Sequence, residues 1–101
     1  MQVSKIEYQQ FLIDIINKCF VKAEHPIDKM DILQALTGRR IGMESVDMLA
    51  LYTILEECTE CPLLFDDIYV FWNIDSLAAY LMNLNDEKLK QYVKRGGWLN
   101  E

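Results

Sequence analysis

The chain has 101 residues, 51% of them apolar, and a formal charge of −6. That length suits one domain with one modest core, since domains commonly run to about 100–150 residues, and the apolar half argues against wholesale disorder. No apolar run approaches the roughly 20 residues that span a bilayer. The opening Met1-Gln2-Val3-Ser4-Lys5 lacks the charged, apolar and cleavage segments of a secretory leader, so the expected location is the cytoplasm.

In chain order, Ser4-Lys5-Ile6-Glu7 is a capping-box pattern, with Val3 and Tyr8 spaced as a hydrophobic staple. Tyr8, Leu12, Ile15, Ile16 and Cys19 then recur at helical spacing, widened by Phe11 and Phe20, and predict one core-facing stripe. Pro26 disfavours the helical region at His25, so this helix is expected to end near Ala23. Residues 26–43 read as a connection holding a short helix, capped by Asp28, anchored by Met30, Ile32, Leu33 and Leu36 and closed by Gly38. Arg39 and Arg40 follow, and are either solvated loop arginines or a contact to a phosphate.

A helix is predicted from Ser45 to Glu57, approached through Gly42. A serine there is among the commonest N-caps. It also faces the orphan N–H groups and the positive end of the helix dipole, where a phosphate esterified to it would be well placed. Val46, Met48, Leu49, Ala50, Leu51, Tyr52, Ile54 and Leu55 nearly encircle this helix, interrupted only by Asp47 and Thr53. Such a helix is buried on most faces or shows an apolar strip to a partner. The expected strip is Val46 with either Met48 or Leu49.

Cys58-Thr59-Glu60-Cys61 has CxxC spacing but lies at the tail of a helix before Pro62. A redox motif is expected after a strand at the start of a helix. With His25 the one histidine, a zinc site lacks ligands, and spectator thiols are the expectation. Asp66 is placed to cap a short helix through Phe71. Asn73 caps the next, with Trp72 and Leu77 as its staple and Ile74, Leu77, Ala78, Leu81 and Met82 as its inner stripe. Asp86-Glu87 open a last short helix with Leu89, Tyr92 and Val93 on one face. Gly96-Gly97 stop it, before Trp98 and Leu99.

Between Ile41 and Glu87 there is no Lys or Arg, whereas Glu44, Asp47, Glu56, Glu57, Glu60, Asp66, Asp67, Asp75, Asp86 and Glu87 are all acidic. Such a surface repels nucleic-acid phosphates and steers basic proteins.

Gly42-Met43-Glu44-Ser45-Val46-Asp47, followed by an apolar helix closed by Leu55-Glu56-Glu57, resembles the attachment motif of acyl carrier proteins. That motif reads Gly-x-[Asp/Glu]-Ser-[Leu/Val]-Asp. Phe71-Trp72-Asn73-Ile74-Asp75-Ser76-Leu77-Ala78-Ala79-Tyr80-Leu81 is similar to the family's last helix, and the likeness covers roughly residues 28–84. The resemblance implies an all-α fold, a four-helix bundle of three longer helices and one short over residues 1–84, with an extra helical extension over 85–101. It implies that Ser45 carries 4′-phosphopantetheine, taken from coenzyme A by a phosphopantetheinyl transferase. The arm would hold an acyl or aminoacyl group as a thioester, for partner enzymes of fatty acid, polyketide or peptide-type biosynthesis.

On this reading the chain is a monomeric carrier rather than an enzyme, with no catalytic or metal-binding residues and no nucleic-acid or membrane partner. Asp47, Glu56 and Glu57 match acidic positions that meet the basic docking surfaces of partners, and Glu44 with the apolar strip of Val46 and either Met48 or Leu49 completes the expected docking residues. Two departures stand out. Glu44 replaces the usual Asp. Ala50 stands where many fatty-acid-type carriers have Glu, which points to a stand-alone carrier of a specialised pathway. The competing readings are an unmodified helical interaction module and, with least support, a thiol redox protein using Cys58 and Cys61.

Overall fold

Ser4 sets where the chain first becomes helical. Its hydroxyl accepts the Glu7 N–H and the Glu7 carboxylate accepts the Ser4 N–H at 3.0 Å, satisfying two of the donors that a helix start leaves open. The computed structural model describes residues 2–20, 26–69 and 73–96, and among them all regular structure is helical. Helix α1 spans Lys5–Cys19, α2 Ser45–Glu57, α3 Phe65–Tyr69, α4 Ile74–Leu84 and α5 Glu87–Arg95, with one 3-10 turn at Lys29–Asp31. Among the described residues no helix is long and apolar enough to cross a membrane.

Helix α1 is the central element. Tyr8, Leu12, Ile15 and Ile16 are buried as the spacing predicts, and Phe11 and Ile13 are buried too, so neighbours cover more than one stripe. The stripe stops at Ile16: Cys19 is exposed. The helix closes at Cys19, where the Phe20 N–H bonds Ile16 O at 2.9 Å, earlier than Pro26 alone implies; Ala23 and His25 lie outside the described residues.

Residues 26–44 form a loop held by polar bonds and apolar anchors. The Asn17 side chain both donates to Ile27 O and accepts the Ile27 N–H, each at 2.8 Å. Ile27, Leu36, Ile41 and Met43 drop into the core. Asp28 caps the 3-10 turn by accepting the Met30 N–H. The turn does not lengthen into the short helix expected here. Met30 and Leu33 consequently point to solvent, 82% and 71% exposed, and are not anchors. Gly38 sits in a turn, with its carbonyl accepting the Gly42 N–H at 2.7 Å, and closes no helix. Asn17→Ala is expected to cost about 1–2 kcal/mol through loss of both bonds to Ile27. Urea denaturation reads this as a lowered midpoint with an unchanged slope.

Helix α4 lies on α1, with Ile74, Leu77, Ala78 and Leu81 fully buried. Asn73 caps it, accepting the Ser76 N–H at 2.8 Å, as read from the sequence; Trp72 lies outside the described residues. Asp75 holds the register. It accepts from Gln9 Nε2 at 2.9 Å, pairs with Lys5 at 3.0 Å, and its N–H bonds Ile32 O. Asn85 then takes the left-handed conformation, φ 51, and turns the chain into α5.

Asp86 caps α5, while Leu89 and Val93 enter the same core cluster as α1 and α4. The Lys94–Glu7 pair at 2.9 Å ties the end of α5 to the start of α1. Gly96, at φ 86, ends α5; Gly97, Trp98 and Leu99 lie outside the described residues. Among the described residues, side chains from Val3 to Val93 belong to or pack against one core cluster.

Candidate functional site

The approach to α2 is built to present its first residue. Gly42 has φ +75, a left-handed conformation that L side chains resist, and an added Cβ there would meet nothing within 4 Å. The backbone angle, not space, requires the glycine. Met43 is then buried, and its N–H bonds Leu36 O at 2.9 Å, which pins the chain immediately before the helix.

Glu44 occupies the N-cap position in extended conformation, and the Asp47 carboxylate accepts its N–H at 2.9 Å. Ser45 is the first helical residue rather than the cap, is exposed, and its hydroxyl bonds to nothing among the described residues. The capping role that the sequence gives to a serine therefore falls to its neighbours. The Ser45 hydroxyl stands free at the positive end of the helix dipole.

At 100° per residue, Met48, Leu51 and Leu55 share one face of α2, and all three are buried. The opposite face shows Val46, 65% exposed, and Leu49, 49% exposed, with Thr53 exposed further along. Of the two side chains left open for the apolar strip, Leu49 is the surface residue. Met48 is 1% exposed and cannot meet a partner without unfolding of α2, which corrects its assignment as a docking residue.

Ser45, Leu49, Tyr52 and Glu56 fall on one flank of α2. Tyr52 closes that flank: its hydroxyl lies 2.9 Å from both Glu56 Oε2 and Leu63 O, one proton serving two acceptors. Its ring meets Phe65 edge-on at 5.7 Å. The hydrogen bond to Glu56 raises the Tyr52 pKa, with desolvation and the carboxylate charge adding to it. Tyr52 thereby seats α3 against α2, a role the sequence reading missed; its spacing of four from Glu56 is the signal that was there. Asp66 lies inside α3, which begins one residue earlier at Phe65, so it is not the cap.

The acidic block divides in the fold. Asp86 is buried, Asp75 is paired with Lys5 and Glu87 with Lys90. Glu44, Glu56, Glu57, Glu60, Asp66 and Asp67 are exposed and Asp47 half-exposed, so exposed acids sit at the start and end of α2, which carries Val46 and Leu49, and in α3. The arginines before α2 do not act as a pair. Arg40 bonds Asp31 and Pro26 O, both at 3.0 Å, within the loop, whereas Arg39 is exposed.

Cys58 is buried and Cys61 half-buried, both unbridged. The Asp86 carboxylate, which takes the Cys61 N–H at 2.8 Å, also acts on the Cys61 thiol. Hydrogen bonding to that carboxylate, then desolvation and the carboxylate charge, raise the thiol pKa, the opposite of what a reactive thiolate needs. Among the described residues no three His, Cys, Asp or Glu side chains are grouped to hold a metal. Compared with family profiles, curated proteins and solved structures, the chain matches none.

Proposed function

We propose that the chain is an acyl-carrier-type protein, with Ser45 the attachment point for 4′-phosphopantetheine and the exposed face of α2 the place where partner enzymes dock. The observation that carries this is the Ser45 hydroxyl, exposed and relieved of cap duty by Glu44 and Asp47. A phosphodiester at that oxygen would lie beside the open N–H groups of the first turn and the positive end of the dipole, which favour negative charge. The group supplies, when bound, a thiol that holds an acyl or aminoacyl cargo as a thioester. The chain's own residues hold the attachment oxygen in solvent, keep it at the mouth of a rigid helix, and offer Val46 and Leu49 on a helix with exposed acids at its start and end.

Such a patch fits a partner with an apolar anchor surrounded by Lys and Arg. Tethering raises the local concentration of cargo at each partner, which is the physical gain of a carrier. Three longer helices, a short α3 on the flank of α2 and an added α5 agree with the arrangement expected of such a carrier. The test is incubation with coenzyme A, Mg²⁺ and a permissive phosphopantetheinyl transferase, read by intact mass. A gain of one phosphopantetheine that vanishes in Ser45→Ala is expected. No gain, or a gain that survives in Ser45→Ala, overturns the reading and leaves the α2 face to an unmodified interaction module.

A further inference from the structure

We propose that the cleft between the start of α1 and the α4–α5 junction binds a small zwitterion of the α-amino acid type, through Tyr8, Lys90 and Glu87. The cleft has a volume of about 430 Å³, within the roughly 300–1,000 Å³ range of small-molecule sites. It lies far from Ser45. The residues flanking Asp86 line it, and Asp86 binds the chain just past the C-terminal end of α2. Thirteen helical residues place that end about 20 Å from Ser45.

Three polar groups in the wall are left with capacity. Among the described residues the Tyr8 hydroxyl is buried without a hydrogen-bond partner, a condition that native structures rarely leave standing. Burial first, then the charges of Asp86, Glu87 and Glu7, raise its pKa, so it stays an O–H donor. Lys90 is 9% exposed and its ammonium bonds Asn85 Oδ1 and, at 3.3 Å, Glu87 Oε1; an ammonium has three protons, so one remains. The Glu87 side chain is 63% exposed, leaving carboxylate lone pairs open.

Two donor residues in one cleft wall suit a carboxylate, and the open Glu87 oxygens suit an ammonium. Val3 and Met82 supply apolar wall for a side chain. Net charge selects between ligand classes. Glu7, Asp86 and Glu87 all act on Tyr8, against the cations Lys94 on Glu7 and Lys90 on Glu87; three acids against two bases leave the surroundings negative, which disfavours a bare anion, whereas a zwitterion adds no net charge.

The test is an NMR titration of backbone amides with L-leucine, isocaproate (leucine without its amine) and isoamylamine (leucine without its carboxylate). Saturable shifts confined to residues 3–8 and 82–90 are expected with leucine, at an affinity about tenfold or more above either half-ligand. Glu87→Gln, at an exposed position, is expected to remove most of the leucine advantage while leaving isocaproate binding unchanged. Tyr8→Phe is expected to weaken both, with its melting temperature maintained. Ser45→Ala is expected to bind as the parent does, which separates this site from the carrier reading. Absence of saturable shifts with leucine at tens of millimolar, equal shifts with isocaproate, or indifference to both substitutions overturns the proposal.

Discussion

Asp86→Ala is expected to lower the unfolding free energy by about 3 kcal/mol, at the upper end of what single substitutions commonly cost. The side chain is 3% exposed and serves two segments at once. Its Oδ1 accepts the Leu89 N–H at 2.9 Å and caps α5. Its Oδ2 accepts the Glu60 and Cys61 N–H groups at 2.9 and 2.8 Å, fastening the loop after α2 to the start of α5. Loss of the cap alone costs about 1 kcal/mol. Two loop amides stranded without a partner add about 1–3 kcal/mol.

The pH dependence follows from the same contacts. Burial pushes the Asp86 pKa up, but the bonds from Leu89, Cys61 and Glu60 outweigh it and hold the folded-state value below the ordinary 3.8. A group whose folded pKa is depressed contributes stability that is present above its unfolded pKa, about 3.9, and is lost as pH falls through the folded value. Urea denaturation at pH 7 and at pH 3 is therefore expected to show a smaller acid loss in Asp86→Ala than in the parent. With the Asp86 carboxylate no longer raising its pKa, the Cys61 thiol is expected to react faster with a disulfide reagent at neutral pH. Parent-like stability with unchanged thiol reactivity would refute the clasp.

Why Asp86 escaped a reading of the sequence is instructive. An acid before an apolar face marks a helix start, and that local half was legible, as were the caps Ser4, Asp28 and Asn73, each paired with a group two or three residues on. The bonds to Glu60 and Cys61 cross 26 and 25 residues, and no local pattern encodes them. The same divide runs through α2. Its bounds, Ser45 to Glu57, follow from the glycine, the apolar run and the closing glutamates. Its faces do not: with only Asp47 and Thr53 polar in the run, periodicity cannot tell Met48 from Leu49, and packing against the rest of the core decides. Ser45 was legible as a helix start, but its freedom from capping depends on where the Asp47 carboxylate turns. Met30 and Leu33 misled for a related reason. Their spacing suits a helix, but a 3-10 turn of three residues does not bring them onto the core.

That ambiguity in α2 yields a paired test, because neighbouring residues are assigned opposite work. Met48→Ala empties a fully packed position and is expected to cost about 2–4 kcal/mol. Modification of Ser45 should proceed at the parent rate wherever the protein remains folded. Leu49→Asp changes a half-exposed position, so stability should stay within about 1 kcal/mol of the parent, allowing for helix propensity. At the centre of a docked interface, however, the new carboxylate would replace an apolar anchor and be stripped of water. The kcat/KM of the phosphopantetheinyl transferase is expected to fall by about a hundredfold. The added negative charge would by itself speed encounter with a basic partner, so a loss of rate isolates the apolar contact. Thermal unfolding and initial rates of mass gain, measured on both variants, decide the matter. If Leu49→Asp is modified as fast as the parent, partners do not meet this face of α2.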